Sequence, residues 1–228
     1  MPPRLLLVFV KEPLAGQVKT RLARTVGGES AARIYKAMVH VLLRQLGGLQ
    51  DCRLRFCFAP DDAHDAIRFW LLPGIIDDPR VALDPDLIDF RPQGAGDLGA
   101  RLSRAFAEAF AEGFGKVAVI GTDCIEVSSR WVHAAFAQLH DRHEAVFGPT
   151  PDGGYHLLAL RKPHLALFDD IPWSTATTLA ATIERSVEMA IPFYRLPPLP
   201  DIDTAEDYEN SLRSPLGPAL RKALDAID

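Results

Sequence analysis

Four short segments concentrate the residues able to do chemistry. In the first, "KEPLAGQVKTRLA", Lys11, Lys19, Arg21 and Arg24 follow an apolar run, and Gly16 lets the backbone turn close to a ligand. Lysine supplies a point charge and arginine a two-pronged donor, a combination suited to a pyrophosphate. A solvated basic loop leading into a helix is the plain structural alternative. This loop is not a P-loop, because Gly16-Gln17-Val18-Lys19-Thr20 lacks the GxxxxGK[ST] spacing, and it carries no GxGxxG.

The second, "VAVIGTDC", ends an apolar strand pattern with Gly121, Thr122 and Asp123. A carboxylate there projects into the crevice at a strand's carboxyl end and can hold a hard divalent cation. The same residue can instead open a turn or cap the next helix. "DIDTAED" gathers further acids, and Asp201 and Asp203 could complete a metal site with Asp123. Glu206 and Asp207 rather favour a helix N-terminus. In "GPTPDGGYHLLAL", Gly153 and Gly154 follow Asp152, which faces the same crevice if its strand neighbours the one ending at Asp123. A plain Asp-Gly turn between two strands is the alternative. "PQGAGDLGARL" sets Gly94, Gly96, Asp97 and Gly99 at a helix start, whose exposed amides can bind an anion or read a base edge. A flexible turn is equally open.

Other residues carry less. His140 and His143 are three apart near a helix end and read as surface histidines rather than metal ligands. Cys124 reads as a buried strand-end thiol rather than a nucleophile. Trp173 can lie over a ligand ring, or Ser174 can cap a helix. No HExxH and no G-x-S-x-G occurs.

Composition bounds what these segments can serve. The 228 residues suit one α/β domain over 1–228, and 48% hydrophobic with 24% charged residues exclude whole-chain disorder. A net charge of −5 argues against a nucleic-acid surface, so anion binding falls to a local basic cluster. Three cysteines with no CxxC argue against a disulfide framework. The apolar run Leu5 to Val10 is too short for a signal peptide, and no stretch reaches the ~20 apolar residues of a membrane span. The expected location is the cytoplasm.

The elements that must position the four segments alternate along the chain. "RLLLVFV", "RLRFCFA", "KVAVI", "EAVFGPT" and "YHLLAL" read as strands, with "LIDFRP" and "FYRLPPL" as short or edge strands. Helices are expected from a Ser30 cap to Gly47, from an Asp61 cap through "DAHDAIRFWLL", from Leu98, from Ser128 to about Arg142, through "TATTLAATIERSVEMA", and after a capping box at Thr204–Asp207. Strands alternating with helices predict a three-layer α/β fold, a mostly parallel sheet with helices on both faces. Ligands in such folds sit at the carboxyl ends of strands, which selects residues 11–24, 92–99, 121–126 and 148–155.

Taken together and in order, "FVKEPLAGQVKTRLA", "GDLGARL", "VIGTDC" with "GPTPDGGYHLLAL", and "IPWST" with "DIDTAEDY" resemble one family. It is the bacterial glycosyltransferase-like family of the nucleotide-diphospho-sugar transferase (GT-A, Rossmann-like) superfamily, of the selenodomain- or arsenosugar-associated type. The first loop is also similar to 2-phospholactate guanylyltransferases, and "DIDTAED" to the closing motif of molybdopterin nucleotidyltransferases. Where the family places a proline and an apolar residue after its strand-end motif, this chain has Ile125 and Glu126. The resemblance implies a transferase that takes a nucleotide or nucleotide-sugar with Mg²⁺ or Mn²⁺. It assigns Lys11, Gly16, Lys19 and Arg21 to the phosphates, and Gly94, Gly96, Asp97 and Gly99 to the nucleotide pocket. Asp123 and Asp203 fall to the metal, and Asp152 to general-base catalysis. Gly153, Gly154, Tyr155 and Trp173 fall on the acceptor side. A nucleotidyltransferase that releases pyrophosphate and a non-catalytic nucleotide-binding protein are the competing functions.

Overall fold

A computed structural model describes residues 3–227 of the chain. The apolar run after Arg4 forms strand β1 (Arg4–Lys11), buried along almost its whole length as a central parallel strand requires. Helices α1 (Thr20–Val26) and α2 (Gly28–Gln45) follow, then β2 (Arg53–Ala59), α3 (His64–Ile76) and β3 (Ile88–Pro92). The chain continues through α4 (Leu98–Ala111), β4 (Lys116–Ile120), α5 (Ser129–Gln138), β5 (Ala145–Pro149) and β6 (Tyr155–Leu160). It ends with α6 (Thr178–Glu188), β7 (Phe193–Arg195), α7 (Ala205–Arg213) and α8 (Gly217–Asp225).

The strands form one sheet in the order β3-β2-β1-β4-β6-β5-β7. The β1–β2, β1–β4, β2–β3 and β5–β7 pairs are parallel, whereas β6 runs antiparallel to both β4 and β5. The chain builds outward from β1 to β3, then crosses back so that β4 pairs on the other side of β1. The strand order therefore reverses between β1 and β4, where the crevice of such folds opens. Because β6 is reversed, its first residues lie at the same edge as the last residues of β4, with Ile120 opposite Leu157.

Alternation along β1 divides the core. Leu6, Val8 and Val10 pack with Leu42 of α2, Ile67 of α3 and Phe136 of α5. Leu5 and Leu7 join the opposite cluster, with Phe106 of α4 and Leu179 of α6. Each fully buried leucine or phenylalanine here contributes about 1.5–3 kcal/mol of transfer free energy. A third cluster joins Leu22 of α1, Met38 of α2 and Leu220 of α8, so α8 packs on α2, and α7 on α8 and α1, rather than on the sheet. Ile125 belongs to this third cluster and is 2% exposed, which accounts for an apolar residue where the resembled family carries proline.

Several boundaries differ from the sequence pattern. Ser30 lies inside α2; the helix starts at Gly28, where Gly27 at φ 84° ends α1 and opens the next helix. Asp61 does not cap α3, which follows Ala63; its carboxylate instead accepts a 2.9 Å hydrogen bond from the Gly94 amide. Helix α5 stops at Gln138, because His140 and His143 form a local bridge that turns the chain. Helices α1 and α8 are too short to show a clear period in the sequence. The Thr204 capping box is present, with the Asp207 carboxylate accepting from the Thr204 amide at 2.8 Å.

Candidate functional site

A cleft of about 740 Å³ opens at the β1/β4 reversal. The ends of β1 and β4 form its floor, the glycine-bearing loop before α4 one wall, and the start of β6 with Trp173 another. Tyr35, buried on α2, accepts a 3.0 Å hydrogen bond from the Lys11 amide at the end of β1. The same hydroxyl shares a hydrogen bond with Thr122 Oγ1, 3.0 Å away in the loop after β4. Burial pushes the Tyr35 phenol up to about 12, so it stays neutral.

Lys19 is the most constrained residue of the first loop. It occupies the left-handed region at φ 48°, ψ 46°, an uncommon conformation for a non-glycine residue, immediately before α1. Its side chain is 4% exposed, and its ammonium pairs with Asp123 and, at 2.9 Å, with Asp203 Oδ1. Burial works against its charge, but Asp123 and Asp203 outweigh that and raise its pKa. Lys19 thus points at the acids rather than outward to solvent. Arg21 Nη1 lies 3.6 Å from Asp203 Oδ2, and Lys11 lines the cleft with an exposed side chain. Gly16 sits at the bend of this loop with φ 76°, away from the cleft lining.

Of the acids, Asp123 and Asp203 line the cleft, and Asp152 and Asp201 gather against Asp203. Carboxylate oxygens of Asp152, Asp201 and Asp203 are all within 4.8 Å of one another. The sequence pattern pairs Asp123 with Asp203; the fold instead brings Asp203 beside Asp152 and Asp201, and ties Asp123 to it through Lys19. Desolvation, then the neighbouring Asp152 and Asp203, push the Asp201 carboxyl up to about 6. Asp152 stands at the tip of the β5–β6 hairpin, where its Oδ1 accepts from the Thr150 hydroxyl and, at 3.0 Å, from the Gly154 amide. Gly153 has φ 92°, and the Ala176 carbonyl occupies the space a Cβ would need. Leu179 donates to the Gly153 carbonyl at 2.9 Å, which fixes the hairpin tip to the start of α6.

The opposite wall is shaped by groups that carry no motif. Gln93, 5% exposed, donates to the Cys57 carbonyl at 2.8 Å and the Val10 carbonyl at 3.3 Å, and accepts from Arg101. Arg104 grips the Gln93 and Ala95 carbonyls, and Arg101 the Gly96 carbonyl. Gly94 through Gly99 spell GxGxxG, but β3 before them is the sheet's edge and β4 after α4 pairs elsewhere, so the βαβ context of a dinucleotide fingerprint is absent. Gly96 and Asp97 line the cleft; Asp97 also caps α4 by accepting from the Ala100 amide at 2.9 Å. Gly94 packs against Arg104, and Gly99 against the Trp173 indole. Tyr155 and Trp173 meet edge to face at 6.4 Å on the cleft wall.

His156, also in the lining, is 6% exposed. Trp131 Nε1 donates to its Nε2 at 3.1 Å, so Nδ1 carries the proton and donates to the Pro149 carbonyl at 3.1 Å. Desolvation lowers its pKa to about 4, leaving a neutral imidazole. Cys124 is buried with its thiol pushed up to about 12, inert as the sequence suggests. The rings of His140 and His143 pack at 4.9 Å, outside the cleft lining. Tyr35, Gln93 and His156 gave no sequence signal, because each acts through partners distant along the chain.

Residues 42–175 match a family described as "Uncharacterized protein conserved in bacteria (DUF2064)". No curated protein matches the chain. Among solved structures, the chain is similar to a protein of Desulfovibrio desulfuricans G20 described as a "putative nucleotide-diphospho-sugar transferase". The identity is 29%, over 99% of this chain and 98% of that one, with a TM-score of 0.80. A cytidylyltransferase from Leptospira borgpetersenii is 15% identical over 100% and 94% of the two chains, with a TM-score of 0.57. A mannosyltransferase from Pyrobaculum calidifontis, solved with GDP-Man and Mn²⁺, is 12% identical over 99% and 70%, with a TM-score of 0.53. These last two share the fold, which is the α/β fold of nucleotide-diphospho-sugar transferases. Among the described residues no helix is long and apolar enough to cross a membrane.

Proposed function

The chain belongs to the bacterial DUF2064 family, and we propose that it is a glycosyltransferase that takes a nucleotide-diphospho-sugar donor with a divalent cation. The observation that carries this reading is the division of one cleft. Asp123 and Asp203 line one end, with Asp152 and Asp201 clustered against Asp203 beside it, while Lys11, Arg101 and a glycine-bearing helix start line the rest. The Desulfovibrio structure, similar over nearly the whole of both chains, supports the same class. The four sequence segments further support the selenodomain- or arsenosugar-associated type within it, and one domain over residues 1–228.

The donor set fits Mg²⁺ or Mn²⁺. Asp152, Asp201 and Asp203 offer only hard carboxylate oxygens at mutual distances one ion can span. Such an ion, when bound, neutralises charge on a diphosphate. We assign Asp152 to holding the cation rather than to proton abstraction, since its Oδ1 is already engaged and it stands among the acids. Lys11 and Arg21 supply positive charge for the phosphates at the β1 end. Gly96 and Asp97 meet the nucleoside, and Tyr155 and Trp173 bound the acceptor space. The protein's contribution is then orientation and electrostatic stabilisation of the departing diphosphate.

Incubation with a panel of UDP-, GDP-, CDP- and ADP-sugars plus Mn²⁺ tests the reading, with release of nucleoside diphosphate as the expected product. Pyrophosphate released from a nucleoside triphosphate would replace it with nucleotidyl transfer. A cation-dependent thermal shift without turnover of either would leave a binding protein, and no shift with any nucleotide would end the reading altogether.

A further inference from the structure

We propose that Lys19 acts as an internal counter-cation that withholds Asp123 from the metal's ligand set and keeps the metal affinity of the free protein low. The inference rests on the cation reading above and concerns this chain's own residues. Of the four acids Asp123, Asp152, Asp201 and Asp203, the last three form the group whose oxygens all lie within 4.8 Å of one another, and Asp123 is not part of it. Asp123, the residue a strand-end motif offers first, is instead paired with the Lys19 ammonium, which also holds Asp203.

The arrangement is built rather than incidental. The Lys19 side chain is 4% exposed, although surface lysines ordinarily extend into water. Its backbone adopts the left-handed conformation that turns the side chain inward, a conformation that costs a non-glycine residue free energy and persists only where its surroundings impose it. Helix α1, starting at the next residue, locks that geometry through the hydrogen bond from the Ala23 amide to the Lys19 carbonyl at 2.8 Å. The Lys19 ammonium on the Asp203 carboxylate repels a second cation there, in a half-buried site where screening is weak. Phosphate oxygens relieve this conflict, because they offer Lys19 another anionic partner and offer the metal further ligands. The metal is accordingly bound well only together with a phosphate-bearing ligand.

Binding of Mn²⁺ alone, followed by the EPR signal of the free ion, tests the proposal on the full chain. Lys19→Met is expected to bind Mn²⁺ at least about tenfold more tightly than the wild type, since it removes the competing charge and frees Asp123. Lys19→Arg, which keeps the charge, stays within about twofold of the wild type, and Lys19→Met with Asp123→Asn falls back toward it. Unchanged or weaker binding by folded Lys19→Met overturns the proposal. Should that variant fail to fold, Asp123→Asn and Asp201→Asn decide. Asp201→Asn loses about tenfold or more, while Asp123→Asn stays within about threefold. An equal loss in both overturns the proposal and leaves the cation reading standing. Absence of Mn²⁺ binding by the wild type with pyrophosphate present removes both.

Discussion

The hydroxyl oxygens of Tyr35 and Thr122 lie 3.0 Å apart, and through them α2 fastens the loop after β4 to the Lys11 amide at the end of β1. One phenol thus holds together the two strand ends between which the cleft opens. Tyr35→Phe preserves the ring, including its packing with Trp70 at 5.9 Å, and removes only this bracket. Two buried polar groups lose a partner, so unfolding free energy should drop by about 1–3 kcal/mol. Urea denaturation measures that cost. Donor KM should rise with the stability loss if the bracket positions the cleft.

His156 links stability to acidity. Its folded pKa of about 4 lies below the ordinary 6.5, so the unfolded chain binds more protons between those values. Stability from the neutral imidazole is fully present above about 6.5 and is lost as pH falls toward 4. Between pH 7 and 5 this residue alone should remove about 2 kcal/mol. His156→Gln should flatten that slope relative to the wild type in urea midpoints taken at both pH values. A parallel pair of curves would refute it.

Gly153 holds the Asp152 hairpin against the start of α6. At φ 92° an alanine is strained, and its Cβ would meet the Ala176 carbonyl. Gly153→Ala should cost about 2 kcal/mol or more, lowering Tm by about 4–8 °C in a chain of this size. Mn²⁺ affinity should fall with it, because the hairpin tip carries one of the three clustered acids.

Arg55 tests the scaffold away from the cleft. Its side chain is 3% exposed and bonds both oxygens of Asp89, at 2.6 and 3.0 Å, and both of Glu112, at 3.2 and 2.7 Å. Arg55→Met removes the shared partner of two acids, but both are partly exposed and can rehydrate. The expected loss is about 2–3 kcal/mol, below that of a fully buried pair broken on one side. Thermal unfolding should show it without change in nucleotide binding.

The alternation of strands and helices, the mostly parallel sheet and the loops that meet at its carboxyl edge were legible in the amino-acid order. Those follow from local periodicity and turn chemistry, each written within a dozen residues. The Thr204 capping box, the Ser128 cap of α5 and the edge strand β7 were legible for the same reason. Relationships across the chain emerged with folding alone. Lys19 reaches Asp203 over a separation of 184 residues, Tyr35 reaches Thr122 over 87, and Gln93 reaches Val10 over 83. The turn of Lys19 away from solvent, the grouping of Asp152 with Asp201 and Asp203, and the neutral His156 all depend on burial and on distant partners. Spacing along the chain encodes which residues are available, but electrostatics in a cleft depends on distances that exist only after the sheet has closed around β1.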